Sequence, residues 1–454
     1  MRGGGCVTSD PIAARDIFPD TTQVRDGHVT IGGCDLVDLA DRYGTPLYVF
    51  DEQSLLTRAR GYRDALRETY PGASTVCYAS KAYSAPWILA LLAEEGLGLD
   101  VVSGGELYVG LRARFPRERI YFHGNNKGED ELKLALSEGI GRIVIDNLDE
   151  VALLGRLARE QGVRPAVMLR VSPNVDAHTH AHLTTGKLDT KFGLGIESGA
   201  AEEGVRAILA QPALDLRGYH AHIGSQIHEL EPYEAAVERL FAFAKEMRDR
   251  HRVQLREISP GGGYGVRYTT ADPATKAVDM IRRVGQVVAA AARTAGFDPL
   301  PELTIEPGRS MVAPTAVALY RVGSVKRIPE GRTYVAVDGG MADNIRPTAY
   351  GAKYSAVLAN RADDKGATDV AIAGKYCETG DILIQHVDLP EPRVGDLVAI
   401  PTAGAYHLSM ASNYNMALRP AVVVVSRGAA RLVRRRETYE DLLVPEVVTD
   451  AVKA

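Results

Sequence analysis

The sequence predicts a closed (β/α)8 barrel of the TIM type, joined to a second domain that is mainly β. Between about residues 74 and 310, short apolar runs alternate eight times with longer segments of helical period. Most of these runs are apolar without interruption, which is typical of parallel strands buried on both faces. After about residue 310, short β-rich runs separated by Gly, Pro and Asp turns replace the helical segments. Pattern alone leaves a doubly wound open sheet as the alternative to the barrel.

The eight predicted strands bring polar residues to one end of the fold. In a parallel barrel the carboxyl ends of all strands meet at one rim, where active sites lie. Several side chains capable of chemistry directly follow these strands, which favours the barrel over the open sheet. Helical periodicity is clear at residues 85–95, 128–138 and 151–161. The predicted strands are residues 75–78, 98–102, 119–123, 142–146, 166–171, 216–223, 256–260 and 303–307.

The second domain is predicted from five further β-rich runs and one near the N terminus that can pack with them. We assign residues 46–310 to the barrel, and residues 1–45 and 311–454 to the mainly β domain. The first residues are rich in glycine and aperiodic, so we expect them to lack fixed structure. The β-rich runs are residues 28–31, 316–325, 333–337, 370–373, 397–400 and 421–426.

The composition excludes several classes of protein. The 454 residues suit two large domains, and 45% hydrophobic with 24% charged residues is ordinary for a soluble globular protein. A net charge of −5 argues against nucleic-acid binding, and no stretch approaches the roughly 20 apolar residues of a membrane span. The start lacks the apolar region of a secretory signal, so we expect a cytoplasmic protein. The cysteines lie too far apart to indicate a disulfide framework or a structural zinc site: Cys6, Cys34, Cys77 and Cys377.

Two segments at the predicted rim could bind an aldehyde and an anion. Lys81 follows the first strand, where an amine shielded from bulk water can lose its proton and form a Schiff base. Most lysines are instead solvated surface charges. Gly261, Gly262 and Gly263 follow the seventh strand, and consecutive glycines let backbone N–H groups approach a phosphate. A plain tight turn is the alternative for these glycines.

Two further segments carry groups suited to a flat, charged ring. Glu306 ends the eighth strand and could pair with a protonated ring nitrogen, while Gly308 and Arg309 could bind anions. His222 ends the sixth strand and could stack on a ring, with Ser225 bonding a phosphate. An ordinary ion pair and a core histidine are the alternatives. We interpret the alternating His178, His180 and His182 as a solvated loop and predict no metal.

In the second domain, polar side chains cluster among Gly-rich turns and suggest a binding surface. The segments are residues 346–351, 376–381 and 404–406.

Together these motifs resemble the fold-type III pyridoxal-phosphate-dependent decarboxylases, and among them the branch that converts meso-2,6-diaminopimelate to L-lysine and carbon dioxide. The resemblance runs from about residue 30 to 440, with all motifs in the expected order. It implies a lyase of lysine biosynthesis with pyridoxal 5'-phosphate as cofactor. The motifs are YASKA, HGNNK, DTKFGLG, HIGSQI, the GGG loop, EPGR, RPTAYG, CETGD and GAYHLSMASNYN.

The resemblance implies a role for each matching residue. Lys81 would hold pyridoxal phosphate covalently, His222 would stack on its ring, and Glu306 would keep the ring nitrogen protonated. Cys377 would be the general acid that protonates Cα, provided with Glu378 by the partner subunit of a homodimer whose second domain completes the substrate site and the interface. The phosphate would be held by Ser225, Gly261, Gly262, Gly263, Gly308, Arg309 and Tyr406.

The substrate is argued from charge at its distal end, which carries an ammonium and a carboxylate group. The family's distal-end residues are matched by Arg309, Arg346, Tyr350, Glu378 and Tyr406. Two arginines for the carboxylate and one glutamate for the ammonium fit in sign and number. The sequence departs from the family at Tyr83, at Lys375 and Tyr376, and at His407, where glycine is usual.

Three alternatives remain. A related decarboxylase for another amino acid with a distal carboxylate would use the same two arginines. A barrel racemase is disfavoured because related racemases place an arginine where Glu306 stands, which weakens the electron sink. A non-catalytic regulator is disfavoured because Lys81 and Cys377 are both present.

Overall fold

The computed structural model describes residues 15–175 and 191–447. They divide into two compact units. The barrel unit consists of the described residues of Leu56–Val266 with Ala274–Met311. The β unit consists of the described residues up to Leu55, Arg267–Pro273, and the described residues from Val312 onward. The glycine-rich start, Cys6 and the three alternating histidines lie outside the described residues.

Eight parallel strands close the barrel. Each strand pairs in parallel with the next, and the eighth pairs with the first, with Leu303 opposite Ser74. This closure confirms the predicted barrel and excludes the open sheet, and every predicted strand overlaps an observed one. A two-residue strand, Leu194–Gly195, extends the fifth strand's edge. The barrel strands are Ser74–Ala79, Gly98–Val101, Ile120–Phe122, Arg142–Ile145, Ala166–Ser172, Asp215–His220, Glu257–Gly261 and Glu302–Ile305.

The helices of the barrel begin and end at the capping residues that the sequence provides. The Ser103 side chain accepts a hydrogen bond from the Glu106 N–H at the start of one helix, and Gly139 ends another in the left-handed conformation. The helix Glu52–Thr69 leads into the barrel. The others are Pro86–Glu94, Gly104–Arg112, Glu129–Glu138, Leu148–Gln161, Ala200–Leu209, Glu231–His251, Ala277–Thr294 and Arg309–Val312, with 3-10 turns at Ser80–Ala82 and Arg117–Arg119.

The β unit contains a three-stranded and a nine-stranded sheet. Its core is made of aliphatic side chains from both sheets, among them Val29, Val49, Leu319 and Val423. The strands are Gln23–Arg25, His28–Ile31 and Cys34–Asp35 in the small sheet, and Leu47–Asp51, Ala316–Arg327, Thr333–Val337, Val357–Leu358, Thr368–Ala373, Ile382–Leu389, Leu397–Ile400, Ala421–Ser426 and Ala429–Arg434 in the large one. The helices are Leu36–Tyr43, Arg346–Tyr350 and Tyr439–Leu443, and the 3-10 turns are Arg15–Ile17, Ala313–Thr315, Leu408–Met410 and Tyr414–Met416.

The boundary at residue 46 needs correction, because the strand Leu47–Asp51 belongs to the β unit. It pairs antiparallel with Ala316–Arg327 and parallel with Ala421–Ser426. All five of its residues are buried, so its continuous apolar pattern resembles that of a barrel strand. Arg267–Pro273 also belongs to the β unit, although its neighbours in the sequence belong to the barrel. Across the described residues, no helix combines the length and apolar character needed to cross a bilayer.

Candidate active site

The barrel unit gathers its predicted site residues at the carboxyl ends of the strands. Glu306 follows the eighth strand and is buried. Its carboxylate accepts hydrogen bonds from His220 Nε2 at 2.9 Å and from Ser259 Oγ at 3.0 Å. His123 Nε2 lies 3.7 Å from the same carboxylate. Although burial raises the pKa of Glu306, His220 and His123 outweigh burial and lower that pKa below its usual range. Glu306 is therefore a buried carboxylate held in its ionised form.

The glycine loop after the seventh strand leaves no room for side chains. A Cβ on Gly262 would lie 1.9 Å from the Glu306 carbonyl oxygen, and one on Gly263, at φ +103°, would lie 2.5 Å from the Gly224 carbonyl oxygen. The Tyr233 hydroxyl donates to the Gly262 carbonyl oxygen at 3.0 Å and fixes the loop from below. These contacts require glycine for packing alone and do not by themselves indicate a phosphate site.

His222 contacts this loop, since its Nδ1 accepts a hydrogen bond from the Gly262 N–H at 3.3 Å. Burial of the ring and the positive charge of Lys81 lower the pKa of His222 well below its usual range. A neutral imidazole therefore borders the glycine loop. This arrangement agrees with a stacking surface rather than a charged ligand.

Ser225 and Arg309 meet at the same rim. Arg309 donates to Ser225 Oγ from Nη2 at 3.0 Å and from Nε at 3.3 Å. Next to Arg309, a Cβ on Gly308 would lie 3.0 Å from both Cβ and the carbonyl oxygen of Ala79, so this backbone packs directly on the first strand. An exposed hydroxyl beside a guanidinium forms an anion-binding pair.

Lys81 departs from the prediction in one respect. It lies on the single turn Ser80–Ala82 after the first strand, as expected, but its side chain is exposed rather than shielded from water. Its charge still acts on the buried groups of the rim. Burial and the neighbouring Glu306 raise the pKa of Asp100 well above its usual range, and Lys81 opposes that rise.

Asp100 and His220 are two buried groups of the site that sequence reasoning missed, whereas a third buried group, His123, begins the HGNNK motif. The signal for Asp100 was a carboxylate inside an otherwise apolar run, and for His220 a histidine two positions before His222. His123, His220 and Glu306 have donor atoms within 4.8 Å of one another, a spacing that a metal ion could also use. The hydrogen bond between His220 and Glu306 accounts for their proximity without one.

Lys127 of the HGNNK motif has a structural contact pattern. It is buried and forms an ion pair with Glu150 at 2.6 Å, and it donates to the carbonyl oxygens of Gly124 and Val144. The motif therefore contributes a satisfied ion pair to the fold.

In the β unit, Arg346 is buried at 7% exposure in the short helix Arg346–Tyr350. Its guanidinium carbon lies 4.7 Å from the centre of the Tyr268 ring and 5.6 Å from that of Tyr354, whose hydroxyl accepts a hydrogen bond from Nη1. Within the described ranges, no carboxylate forms an ion pair with Arg346. A buried cation without an anion is costly, so this geometry favours an external anion as its partner.

Three further predicted residues of the β unit face solvent. Cys377 and Glu378 are exposed on the loop between Thr368–Ala373 and Ile382–Leu389, and Tyr350 is 67% exposed. The exposure of Cys377 rules out the buried-cysteine alternative. A hydrogen bond of 2.8 Å from Thr348 Oγ1 to the Gly380 carbonyl oxygen ties this loop to the helix of Arg346.

Tyr406 is half-buried and adopts φ 61°, a strained conformation for a residue with a side chain. Its neighbour His407 is fully buried.

Comparison with known proteins identifies relatives of the whole chain. Residues 53–313 match the family described as "Pyridoxal-dependent decarboxylase, pyridoxal binding domain". The chain is 48% identical over 421 residues to the diaminopimelate decarboxylase of Bacillus subtilis, covering 93% of this chain and 95% of the relative. It is 41% identical over 444 residues to that of Mycobacterium tuberculosis, covering 96% and 98%. The crystal structure of the M. jannaschii diaminopimelate decarboxylase with L-lysine superposes with a TM-score of 0.89 at 33% identity, covering 95% and 99%.

Proposed function

The chain belongs to the pyridoxal-dependent decarboxylases, and from this membership we propose that it converts meso-2,6-diaminopimelate to L-lysine and carbon dioxide with pyridoxal 5'-phosphate. Curated relatives at 41–48% identity over most of the chain carry the name diaminopimelate decarboxylase. A sibling decarboxylase for another amino acid with a distal carboxylate is the second candidate. It shares the requirement for an anion beside Arg346.

The residues of the barrel unit fit pyridoxal phosphate. Glu306 is ionised in a buried site, which suits the protonated nitrogen of a pyridine ring. The glycine loop presents backbone without side chains. The pair of Arg309 and Ser225 adds a positive charge and a hydroxyl group. When bound, the cofactor supplies an electron-accepting ring that stabilises the negative charge left on Cα as the carboxylate departs.

Each residue of this unit then has a distinct task. The Lys81 amine would bind the aldehyde carbon of the cofactor, and its exposure leaves it accessible to an exchanging substrate amine. Glu306 would hold the proton of the ring nitrogen in place, and His222 would stack on the ring as a neutral imidazole. The phosphate would be held by Ser225, Gly261, Gly262, Gly263, Gly308 and Arg309.

Cys377 supplies the proton that completes the product. Its Sγ delivers a proton to Cα after carbon dioxide has left, so that an amino acid with one carboxylate fewer is released. An exposed thiol beside Glu378 can reach a substrate, whereas the buried Cys34 and Cys77 cannot. The exposure of Cys377 is the support for this assignment.

The substrate assignment rests on one observation, the buried guanidinium of Arg346 without a carboxylate partner among the described residues. A distal carboxylate satisfies it, whereas a simple diamine end group such as that of ornithine would repel it. Arg309 adds a second positive charge, Glu378 accepts the distal ammonium, and Tyr350 and Tyr406 contribute hydroxyls.

We further infer a cytoplasmic homodimer in which each site combines Lys81 of one subunit with Cys377 of the other. Mixing the inactive variants Lys81→Ala and Cys377→Ala under subunit exchange tests this arrangement. Shared sites restore about a quarter of wild-type activity, because half of all dimers are then mixed and each mixed dimer carries one intact site of two. Sites formed within one subunit would restore none.

The test of the proposed function is carbon dioxide release with added pyridoxal phosphate. meso-Diaminopimelate, LL-diaminopimelate, lysine and ornithine are compared in parallel. We expect turnover of the meso isomer alone, with lysine as product. Visible absorbance of bound cofactor without turnover of any of the four would move the function to the sibling decarboxylase.

A further inference from the structure

A chain of buried hydrogen bonds leads from Arg346 into the interior of the β unit. Arg346 Nη1 contacts the Tyr354 hydroxyl, which lies 2.8 Å from His407 Nε2. On the other side of the ring, His407 Nδ1 lies 3.1 Å from the Tyr48 hydroxyl, and that hydroxyl lies 3.1 Å from the carbonyl oxygen of Asp343. All five residues are buried, and His407 has 0% exposure.

The two ends of this chain set the direction of its outer hydrogen bonds. A guanidinium only donates, so the Tyr354 hydroxyl oxygen accepts from Arg346. A carbonyl oxygen only accepts, so Tyr48 donates to Asp343 and accepts from His407 Nδ1. His407 Nε2 bonds the Tyr354 hydroxyl on its other side, so the imidazole links the two tyrosines.

Packing alone does not explain a histidine at this position. The rings of Tyr48 and Tyr354 meet His407 edge-on, with centroids 5.8 Å and 5.2 Å away, an arrangement that a phenylalanine ring would also fill. Burying five polar groups costs free energy unless all are bonded, and a fully bonded network fixes one geometry. The group at the end of this network that has a bond left to make is the guanidinium of Arg346.

We propose that His407 is a positioning residue for recognition of the substrate's distal carboxylate, acting through the hydroxyl of Tyr354 on Arg346. By bonding the Tyr354 hydroxyl, His407 fixes the position of that hydroxyl against Arg346 and holds the guanidinium in one orientation. The inference rests on the proposed function, because it takes the anion beside Arg346 to be the carboxylate of diaminopimelate.

Steady-state kinetics of five purified variants test this role. Tyr354→Phe keeps the ring against Arg346 and removes the hydroxyl, and His407→Phe keeps the volume and removes the hydrogen-bonding nitrogen. Each should raise KM for meso-diaminopimelate about tenfold with kcat and cofactor absorbance nearly unchanged, as expected for loss of one hydrogen bond to a charged group. The double variant should be no worse than either single one, because the two residues act in series.

His407→Gln and Tyr70→Phe separate positioning from stability. Gln places an acceptor at the reach of Nε2, so we expect this variant to restore KM to near the wild-type value. Tyr70 is a buried tyrosine of the barrel unit that bonds the Pro301 carbonyl oxygen, and Tyr70→Phe should lower Tm without moving KM.

The outcomes distinguish this inference from the proposed function. Turnover by the wild type with an unchanged KM in Tyr354→Phe would overturn the inference and leave the proposed function standing. Equal KM values for His407→Gln and His407→Phe would also overturn the inference and leave the proposed function standing. A wild type that does not decarboxylate diaminopimelate would overturn both.

Discussion

Each of the two units buries an ionised group, and the two groups differ in where their counter-charge comes from. Glu306 of the barrel unit is surrounded by His220, His123 and the Ser259 hydroxyl, all from its own unit. Arg346 of the β unit is surrounded by two tyrosine rings and has no carboxylate partner in the part of the chain that the structure describes. A buried ion with its partners in the chain is fixed before any ligand binds. A buried ion that lacks one is suited to recognising a ligand, and under the proposed function Glu306 serves the cofactor and Arg346 serves the substrate.

The comparison also separates what substitutions should do. Substitution of a proposed cofactor-binding residue of the barrel unit should remove cofactor binding and turnover together. Substitution of Cys377 or Arg346 in the β unit should spare the cofactor and alter turnover or substrate affinity alone.

Lys81→Ala should have the largest effect of any single substitution. Removing the amine removes the covalent attachment of the cofactor, so the visible absorbance of the lysine-bound cofactor should disappear and kcat should fall by more than about a thousandfold. Absorbance spectra and carbon dioxide release measure both. The matched control is Lys133→Ala, an exposed lysine paired with Glu129 on a barrel helix, which should behave as the wild type. Retained absorbance in Lys81→Ala would break the assignment of the barrel to the cofactor.

Cys377→Ala should come next and should leave the cofactor in place. Loss of a general acid lowers kcat by about 10²- to 10⁴-fold, while the absorbance should stay at the wild-type value. Cys34→Ala, which removes a buried thiol of the same unit, is the control and should keep wild-type turnover. Near-normal rates in Cys377→Ala would remove this residue as the proton donor.

Arg346→Gln tests whether the buried guanidinium recognises the substrate. With the positive charge gone, KM for diaminopimelate should rise about 10- to 100-fold while cofactor absorbance is unchanged. Arg361→Gln is the informative control, because Arg361 already has its anion in the chain, Asp396 at 2.6 Å. That variant should lower Tm and leave KM alone. If both variants raised KM equally, the missing counter-charge of Arg346 would have no bearing on recognition.

The sequence was sufficient to predict the barrel because buried parallel strands leave uninterrupted apolar runs, and the helices between them keep their period. It misassigned Leu47–Asp51 because a buried strand has the same pattern in either unit, and its pairing partners lie near the other end of the chain. Lys81 lies on a turn after its strand and Cys377 on a loop between two strands, as their motifs predict. The sequence could not indicate that Lys81 is exposed, since exposure depends on how the rim is packed.

The environment of Arg346 could not be predicted from the sequence. One of the two rings against it is Tyr268, from a seven-residue segment that leaves the barrel sequence to join the β unit. No periodicity in the sequence marks the point where this segment leaves the barrel unit. Among the described residues, the lack of a carboxylate partner for Arg346 is likewise a property of the fold that no pattern in the sequence shows.

Glu306 and Asp343 are both buried carboxylates, and their pKa values shift in opposite directions. The pKa of Asp343 rises to about 6, because burial and the nearby Asp381 and Asp338 outweigh its hydrogen bonds from Tyr320 and the Gly340 N–H. A carboxylate with a raised pKa in the folded state stabilises the fold below about pH 4 and loses that contribution as pH rises through about 6. Asp343→Asn removes this pH-dependent loss of stability, which is at most about 3 kcal/mol for a pKa raised by about two units.

Tm measured from pH 4.5 to 8 checks this sign. The Tm of Asp343→Asn minus that of the wild type should increase as pH rises to about 7 and then stay constant. Glu306→Gln should show no such trend, because the pKa of Glu306 lies below its usual range and the carboxylate stays ionised in the folded and the unfolded chain over most of this interval. A rising difference for Glu306→Gln, or a falling one for Asp343→Asn, would mean that the two units do not hold their buried carboxylates in opposite ways.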